Sequence, residues 1–320
     1  MSMLTSLGND LYTGEKSFKF IPNRKLWLTI GLITVLVSIL IPFLRGGFNF
    51  GIEFTGGTEF QVEGAHIASE SEVLDAVQAV VGNQQVTVTT IGGNNFRIHT
   101  GELSETDRDS IVAGLENLLE VSADDVTINE VGGSWGADIT SKMIRGLIVF
   151  VLLAGLALAV YFRTWRMSLA AMGKLLHDLI VTAGVYALTG FEVTPATVIG
   201  FLTILGYSLY DAVVVFDKVR ENTKTLEKPN KQSFLDQINL AVNQTLVRSI
   251  NTSVVAVLPV AAILFTAIVF LGTGTLRDIS LALFVGILVA TYSTLFIGSP
   301  LYGALEAANP QLNKGKAKKQ

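Results

Sequence analysis

The sequence predicts an α-helical polytopic membrane protein with six transmembrane helices and an α+β external domain between helices one and two. Three observations predict it. Half of the 320 residues are hydrophobic and only 16% are charged, against roughly 25% in a soluble domain. The apolar residues fall in six blocks of the length, about 20 residues, that a helix needs to cross a bilayer core of about 30 Å. One long polar stretch, residues 45–143, separates the first block from the rest. The absence of cysteine excludes a disulfide scaffold, thiolate catalysis, Cys-ligated zinc and iron–sulfur clusters. The formal charge of −4 argues against nucleic acid as a partner.

Residues 1–25 read as a cytoplasmic N-terminal segment and 26–44 as the first span. Residues 45–143 form the external domain, and the remaining spans cover about 144–162, 167–188, 195–216, 247–271 and 279–301. A basic tail, 302–320, follows. Connections between the later spans are short, except for a charged stretch from Asp217 to Gln244. The basic residues before span one would suit a signal peptide. The apolar run is longer than a typical signal core, and Arg45-Gly46-Gly47-Phe48 follows it instead of a small-residue cleavage site, so a retained anchor is expected. Orientation follows from Lys and Arg. With the N-terminus inside, fifteen of the 23 lie in inside segments, six outside, and Lys174 and Arg248 within spans. Both termini are then cytoplasmic and the polar domain is extracytoplasmic.

The external domain alternates strand-like and helix-like runs. Gly57 to Glu63 reads as a strand and Ser69 to Gly82 as a helix, with Ser69 three residues before Glu72 in a capping-box spacing. Two further strands meet at Gly92-Gly93-Asn94, a hairpin signal. A second helix starts near Ser104 and Asp107 and carries Leu115, Leu118 and Leu119 on one face, and Val126 to Gly133 closes with a strand. The order β-α-β-β-α-β is that of a ferredoxin-like fold. No catalytic constellation is evident, so an enzyme is not expected. His66 and His99 lack any metal-ligand spacing and read as ordinary surface or strand residues. The glycine pairs lack the Lys-Ser/Thr of a phosphate loop and the spacing of a dinucleotide fingerprint, so most read as turns. Neither metal nor cofactor is implied.

Ionisable residues inside the spans are the sharper signal, because charge is expensive there. Asp211 lies in the fourth span, with Thr203, Tyr207 and Ser208 as neighbours at helical spacing. In the fifth, Arg248 shares a face with Gln244, Asn251 and Thr252. Asp211 and Arg248 approach the same third of the membrane from opposite directions, so an ion pair is geometrically open to them. In the third span Lys174, His177 and Asp178 cluster, with Lys174 and Asp178 at i, i+4. Plainer readings stand beside these. Arg248 could snorkel to the interface, Lys174 more readily so, and His177 and Asp178 could be polar packing between helices. A carboxylate in lipid has its pKa raised by desolvation and lowered by a guanidinium, so Asp211 could exchange protons between two conformations.

Four segments resemble one family. GIEFTGGTEF (51–60) is similar to the signature of the SecD/SecF translocation proteins, with Gly51, Glu53, Gly56 and Gly57 as its core. GYSLYDAVVVFDKVREN (206–222), NQTLVRSINTS (243–253) and SLALFVGILVATYSTLFIGSPL (280–301) resemble the family's fourth-, fifth- and last-helix motifs. The resemblance implies one half of a pseudo-symmetric twelve-helix bundle of resistance–nodulation–division architecture in the bacterial plasma membrane. Such a subunit uses the proton gradient, sodium in some members, to assist preprotein export at a late stage. The partners it implies are SecD, the SecYEG channel, the preprotein and the bilayer, with YajC and YidC as candidate further ones. The family's essential Asp maps to Asp211, its fifth-helix Arg to Arg248, and a frequent His-Asp pair to His177 and Asp178; Tyr207, Asn251 and Thr252 are supporting candidates. Tyr210 stands where the family usually has Asn, and Lys174 is an additional polar residue. The rival readings are a half-size exporter of small molecules or lipids working with a partner subunit, and a scaffold that only recruits the channel.

Overall fold

A computed structural model of the chain describes residues 9–65, 68–91, 95–224, 226, 231–270 and 274–309. His66, Gly92-Gly93-Asn94 and the basic tail from residue 310 lie outside them. Among the described residues, six helical segments are long and apolar enough to cross a membrane. They are α1 (Arg24–Arg45), α5 (Gly133–Phe162), α6 (Trp165–Thr189), α7 (Pro195–Lys224), α8 (Lys231–Phe270) and the run of α9 (Thr275–Ser293) into α10 (Ser299–Ala307) through a π-helical turn at Thr294–Gly298. Helices α6, α7 and α9 form the interior, while α1, α5 and α8 present Leu32, Leu36, Leu152, Leu156, Val255 and Leu258 outward. Close approach in the interior uses small residues. Gly184 sits against Ser38, Gly200 against Ala282 and Gly286 against Ile204, where an added Cβ would clash.

The stretch from Asp217 to Gln244, read as a connection, is largely helical. Helix α7 runs on to Lys224, and α8 starts at Lys231. Charge hides its amphipathic spacing: Leu235, Ile238, Ala241 and Val242 are buried. On the same helix Asn243 Oδ1 accepts from Phe18 N at 2.7 Å and Asn239 Oδ1 from Ile21 N at 3.1 Å. The segment before α1 is thereby fastened along α8 by its backbone donors.

Between α1 and α5 lies a polar domain built from β1 (Gly57–Val62), α3 (Glu70–Val81), β2 (Thr87–Ile91), β3 (Asn95–Thr100), α4 (Glu105–Leu119) and β4 (Val126–Val131), preceded by the single turn α2 (Ile52–Thr55). The succession of two helices and four strands matches the sequence pattern. The strands form one antiparallel sheet in the order β2-β3-β1-β4. Ser69 and Glu72 close the expected capping box, with Ser69 N donating to Glu72 Oε2 at 2.8 Å. Phe60, Val62, Phe96 and Ile98 on one sheet face pack with Val73, Val77, Ile111, Leu115 and Leu119 of the helices. Leu118 turns outward instead of joining that face. Because side chains alternate across a strand, Glu59, Gln61, Arg97 and His99 occupy the opposite face, toward the bundle.

The glycine pair at the start of β1 has a steric cause. Gly56 has φ +74° and Gly57 φ +115°, and Cβ atoms there would meet the backbone of Gly133 and the carbonyl of Thr100. The strand can enter the sheet beside the start of α5 only without side chains. Gly57→Ala is expected to cost at least about 2 kcal/mol in thermal unfolding of the purified chain. Gly64→Ala, at φ +68° with open space around it, should cost only about 1 kcal/mol, and equal losses would contradict this account.

Candidate functional site

Helix α7 carries Ser208 and Asp211 on its buried side, about one turn apart. Asp211 is 5% exposed. Its Oδ1 accepts a hydrogen bond from Ser249 Oγ of α8 at 2.9 Å. Its Oδ2 is buried and has no hydrogen-bond partner among the described residues. A buried acceptor left in this state loses hydration that nothing among the described residues replaces.

The Asp211–Arg248 ion pair considered for this site is not formed in the structure. Arg248 is exposed, and Ser249 occupies the place facing Asp211. Successive residues on a helix are turned by about 100°, so turning Ser249 inward turns Arg248 away. Asn251 shares that outward orientation, and Thr252 donates to the Arg248 carbonyl on its own helix at 2.8 Å. Tyr207 does reach the interior. Its hydroxyl lies 3.0 Å from Ser253 Oγ, which also accepts from Thr291 Oγ1 of α9 at 2.6 Å. The inner stripe Ser249–Ser253 was missed in the sequence, although its i, i+4 spacing was there to be read.

A second buried network lies one turn away on α7. Lys174 of α6, expected to snorkel, is instead 1% exposed and fully engaged. Its Nζ is 2.9 Å from Asp178 Oδ2, 2.6 Å from Ser208 Oγ and 3.1 Å from the Ser208 carbonyl. Ser208 Oγ in turn donates to Asp178 Oδ2 at 2.6 Å. His177 Nδ1 lies 3.3 Å from Asp178 Oδ1 and its Nε2 3.4 Å from Thr34 Oγ1 of α1. Lys174 stays inside because interior partners satisfy it, whereas snorkelling would leave Asp178 buried and uncompensated.

The signature residues sit at the domain end of the bundle, away from Asp211. Gly51 precedes α2, Glu53 lies in its first turn, and Gly51 N donates to the Val193 carbonyl of the α6–α7 connection at 3.0 Å. They join the polar domain to the helices.

Comparisons with known proteins fit this arrangement. The family "SecD/SecF GG Motif" matches residues 44–64, and "Protein export membrane protein SecD/SecF, C-terminal" matches residues 112–308. The chain is 43% identical over 312 residues to the protein translocase subunit SecF of Streptomyces coelicolor, covering 98% of this chain and 83% of that protein. It is 34% identical over 297 residues to the protein translocase subunit SecDF of Thermus thermophilus, of which it spans 38%. The crystal structure of SecDF from that organism superposes with a TM-score of 0.79 at 28% identity, covering 95% of this chain and 39% of that one. The chain therefore matches less than two fifths of SecDF and most of SecF. The order of its helices, its glycine signature and these likenesses agree that this is a multi-pass membrane protein belonging to the SecF protein translocase subunits of the SecD/SecF family.

Proposed function

We propose that the chain pairs with SecD and uses the proton or sodium gradient to assist late preprotein translocation through the SecYEG channel, with YajC and YidC as further partners. It is a transport subunit on this reading, not an enzyme. The observation that carries it is the buried Asp211 carboxylate with one oxygen satisfied by Ser249 and the other without a donor. Protonation or cation binding at Oδ2 changes the charge inside the bundle, and it shifts the packing of α7 against α8 and α9 to the extent that the two arrangements differ in affinity for that ion. The excess of Lys and Arg in the segments assigned inside supports cytoplasmic termini and an extracytoplasmic domain. That domain would then move with the bundle on the side where preprotein emerges.

The SecD interface lies where α7 and α8 leave Thr203, Tyr210, Arg248 and Asn251 exposed at membrane depth. Polar groups facing lipid are unfavourable, so a protein surface is their natural cover. The chain has no cysteine, which makes single-cysteine crosslinking clean. Asn251→Cys should form a disulfide with cysteines placed in the bundle of SecD, while Leu152→Cys, on the exposed apolar surface of α5, should not. Export into vesicles should respond to an imposed gradient only when both subunits are present. Absence of any crosslink at Asn251→Cys, or gradient-independent export, would contradict the proposal.

A further inference from the structure

Where the sheet meets the bundle, the fold gathers charged groups that play no part in the site at Asp211. The β1–β3 register sets Glu59 opposite His99, and His99 Nε2 lies 2.6 Å from Glu59 Oε2. The other Glu59 oxygen is taken by the side-chain amides of Gln61 and Asn129. Glu192 enters from the α6–α7 connection. Its Oε2 pairs with Arg97 Nη1, and its Oε1 lies 3.4 Å from His99 Nε2. Glu59 and Glu192 are 6% and 7% exposed.

Two oxygens here are buried without a hydrogen-bond partner among the described residues, Glu192 Oε1 and Glu53 Oε2. They converge. A Cβ built on Gly51 would fall against Glu53 Oε2 and 2.8 Å from Glu192 Oε1, so the missing side chain of Gly51 leaves room for both. Four carboxylates, Glu53, Glu59, Glu192 and Asp278, share this region with two guanidiniums, Arg97 and Arg277, and one imidazole, so negative groups outnumber the guanidiniums. Buried negative charge in excess is unfavourable unless a cation or proton joins it. Clefts flank the cluster on two sides. One of about 520 Å³ is bordered by Asn49 and His99, and one of about 670 Å³ by Glu53, Glu59, Arg97 and Asp278. An ion can reach the cluster through either.

We propose that Glu59, His99 and Glu192 form a divalent-metal site of nitrogen–oxygen type, suited to Zn2+ or Mn2+, that fastens the sheet of the polar domain to the α6–α7 connection. One ligand atom from each residue lies within 4.8 Å of the others. Bonds of about 2.0–2.2 Å hold ligands roughly 3–4 Å apart around one ion, so small side-chain rotations complete the site. An imidazole with carboxylates selects these ions over Mg2+. Arg97 lies outside the ligand set and orients Glu192 through its second oxygen, as outer partners of metal ligands do. Glu53 adds negative charge beside the ion.

The test uses the tag-free full chain in nanodiscs, stripped with a chelator and then dialysed against Zn2+ or Mn2+. Elemental mass spectrometry should find about one ion per chain, with affinity at least ~10-fold weaker in His99→Gln and in Glu192→Gln. Asp211→Asn should bind as the unaltered chain does, which separates this site from the coupling site. In the unaltered chain Zn2+ should also protect His99 from diethyl pyrocarbonate, read by peptide mass, a measurement that requires no variant to fold. No retained ion, undiminished affinity in both variants, or no protection of His99 would each overturn the proposal, leaving a shared proton to satisfy the two oxygens.

Discussion

Asp211→Asn should abolish gradient-driven export while leaving the protein as stable as before or slightly more so. Asn is nearly isosteric with Asp, and its Oδ1 can keep the 2.9 Å bond from Ser249. The amide occupies the place of Oδ2, the buried acceptor that now lacks a donor, and it carries no charge to desolvate. A neutral amide of the same shape costs less to keep away from water than a carboxylate does, which offsets the buried N–H groups it introduces. Loss of a site that can change charge, by contrast, removes the means of coupling. Export of a preprotein into vesicles under an imposed pH gradient should fall to the level found without the chain. The unfolding temperature of the purified subunit should hold or rise. Such opposite movement of stability and activity is the signature of a group kept for function. Export at the unaltered level in Asp211→Asn would end the coupling role proposed for it. Ser249→Ala separates position from charge, because it leaves the Asp211 carboxyl in place but without its hydrogen bond from α8, so a reduced export rate is expected there.

The second large effect is one of stability. Lys174 and Asp178 are 1% exposed and 2.9 Å apart, and removing one partner of such a pair typically costs about 3–5 kcal/mol, because the other charge stays buried alone. Lys174→Met should therefore destabilise the detergent-solubilised chain by that amount, and Asp178→Asn should strand the ammonium with only Ser208 as partner. The double replacement Lys174→Met with Asp178→Leu should recover most of the loss, since a well-packed apolar pair of similar volume substitutes for the ions. If the pair only packs the bundle, the double variant retains export. Loss of export with recovered stability would show that the charges themselves are needed one turn from Asp211. A neutral effect of Lys174→Met alone would mean that Asp178 carries no charge in the bundle.

These two sites differ in how far the sequence exposed them. Asp211 was legible because a carboxylate in an apolar run stands out whatever its surroundings. Arg248 was equally legible as a charge, but its direction was not. Between Arg248 and Ser249 lies a turn of about 100°, and only the packing of α8 on α7 selects which of them faces Asp211. Lys174 was ambiguous for a related reason. A long side chain near a span end can snorkel or pair, and the choice rests on whether Ser208 and Asp178 come within reach. The junction cluster left less trace still. Arg97 and Glu192 are 95 positions apart, and His99 meets Glu59 only through the β1–β3 register, so no local spacing announces them.

The sequence by itself determined the six apolar spans, the alternation that builds the sheet domain, the glycines at its entrance and the presence of charges within the membrane. Those features depend on periodicity, length and the preferences of single residues, which act over a few positions of chain. Tertiary structure alone decided that Ser249, not Arg248, attends Asp211, that Lys174 is locked inside, and that charges dispersed along the chain converge beneath the sheet. The physical reason is that desolvation and hydrogen bonding over a few ångströms govern what a charge does, and those distances exist only after distant segments have packed.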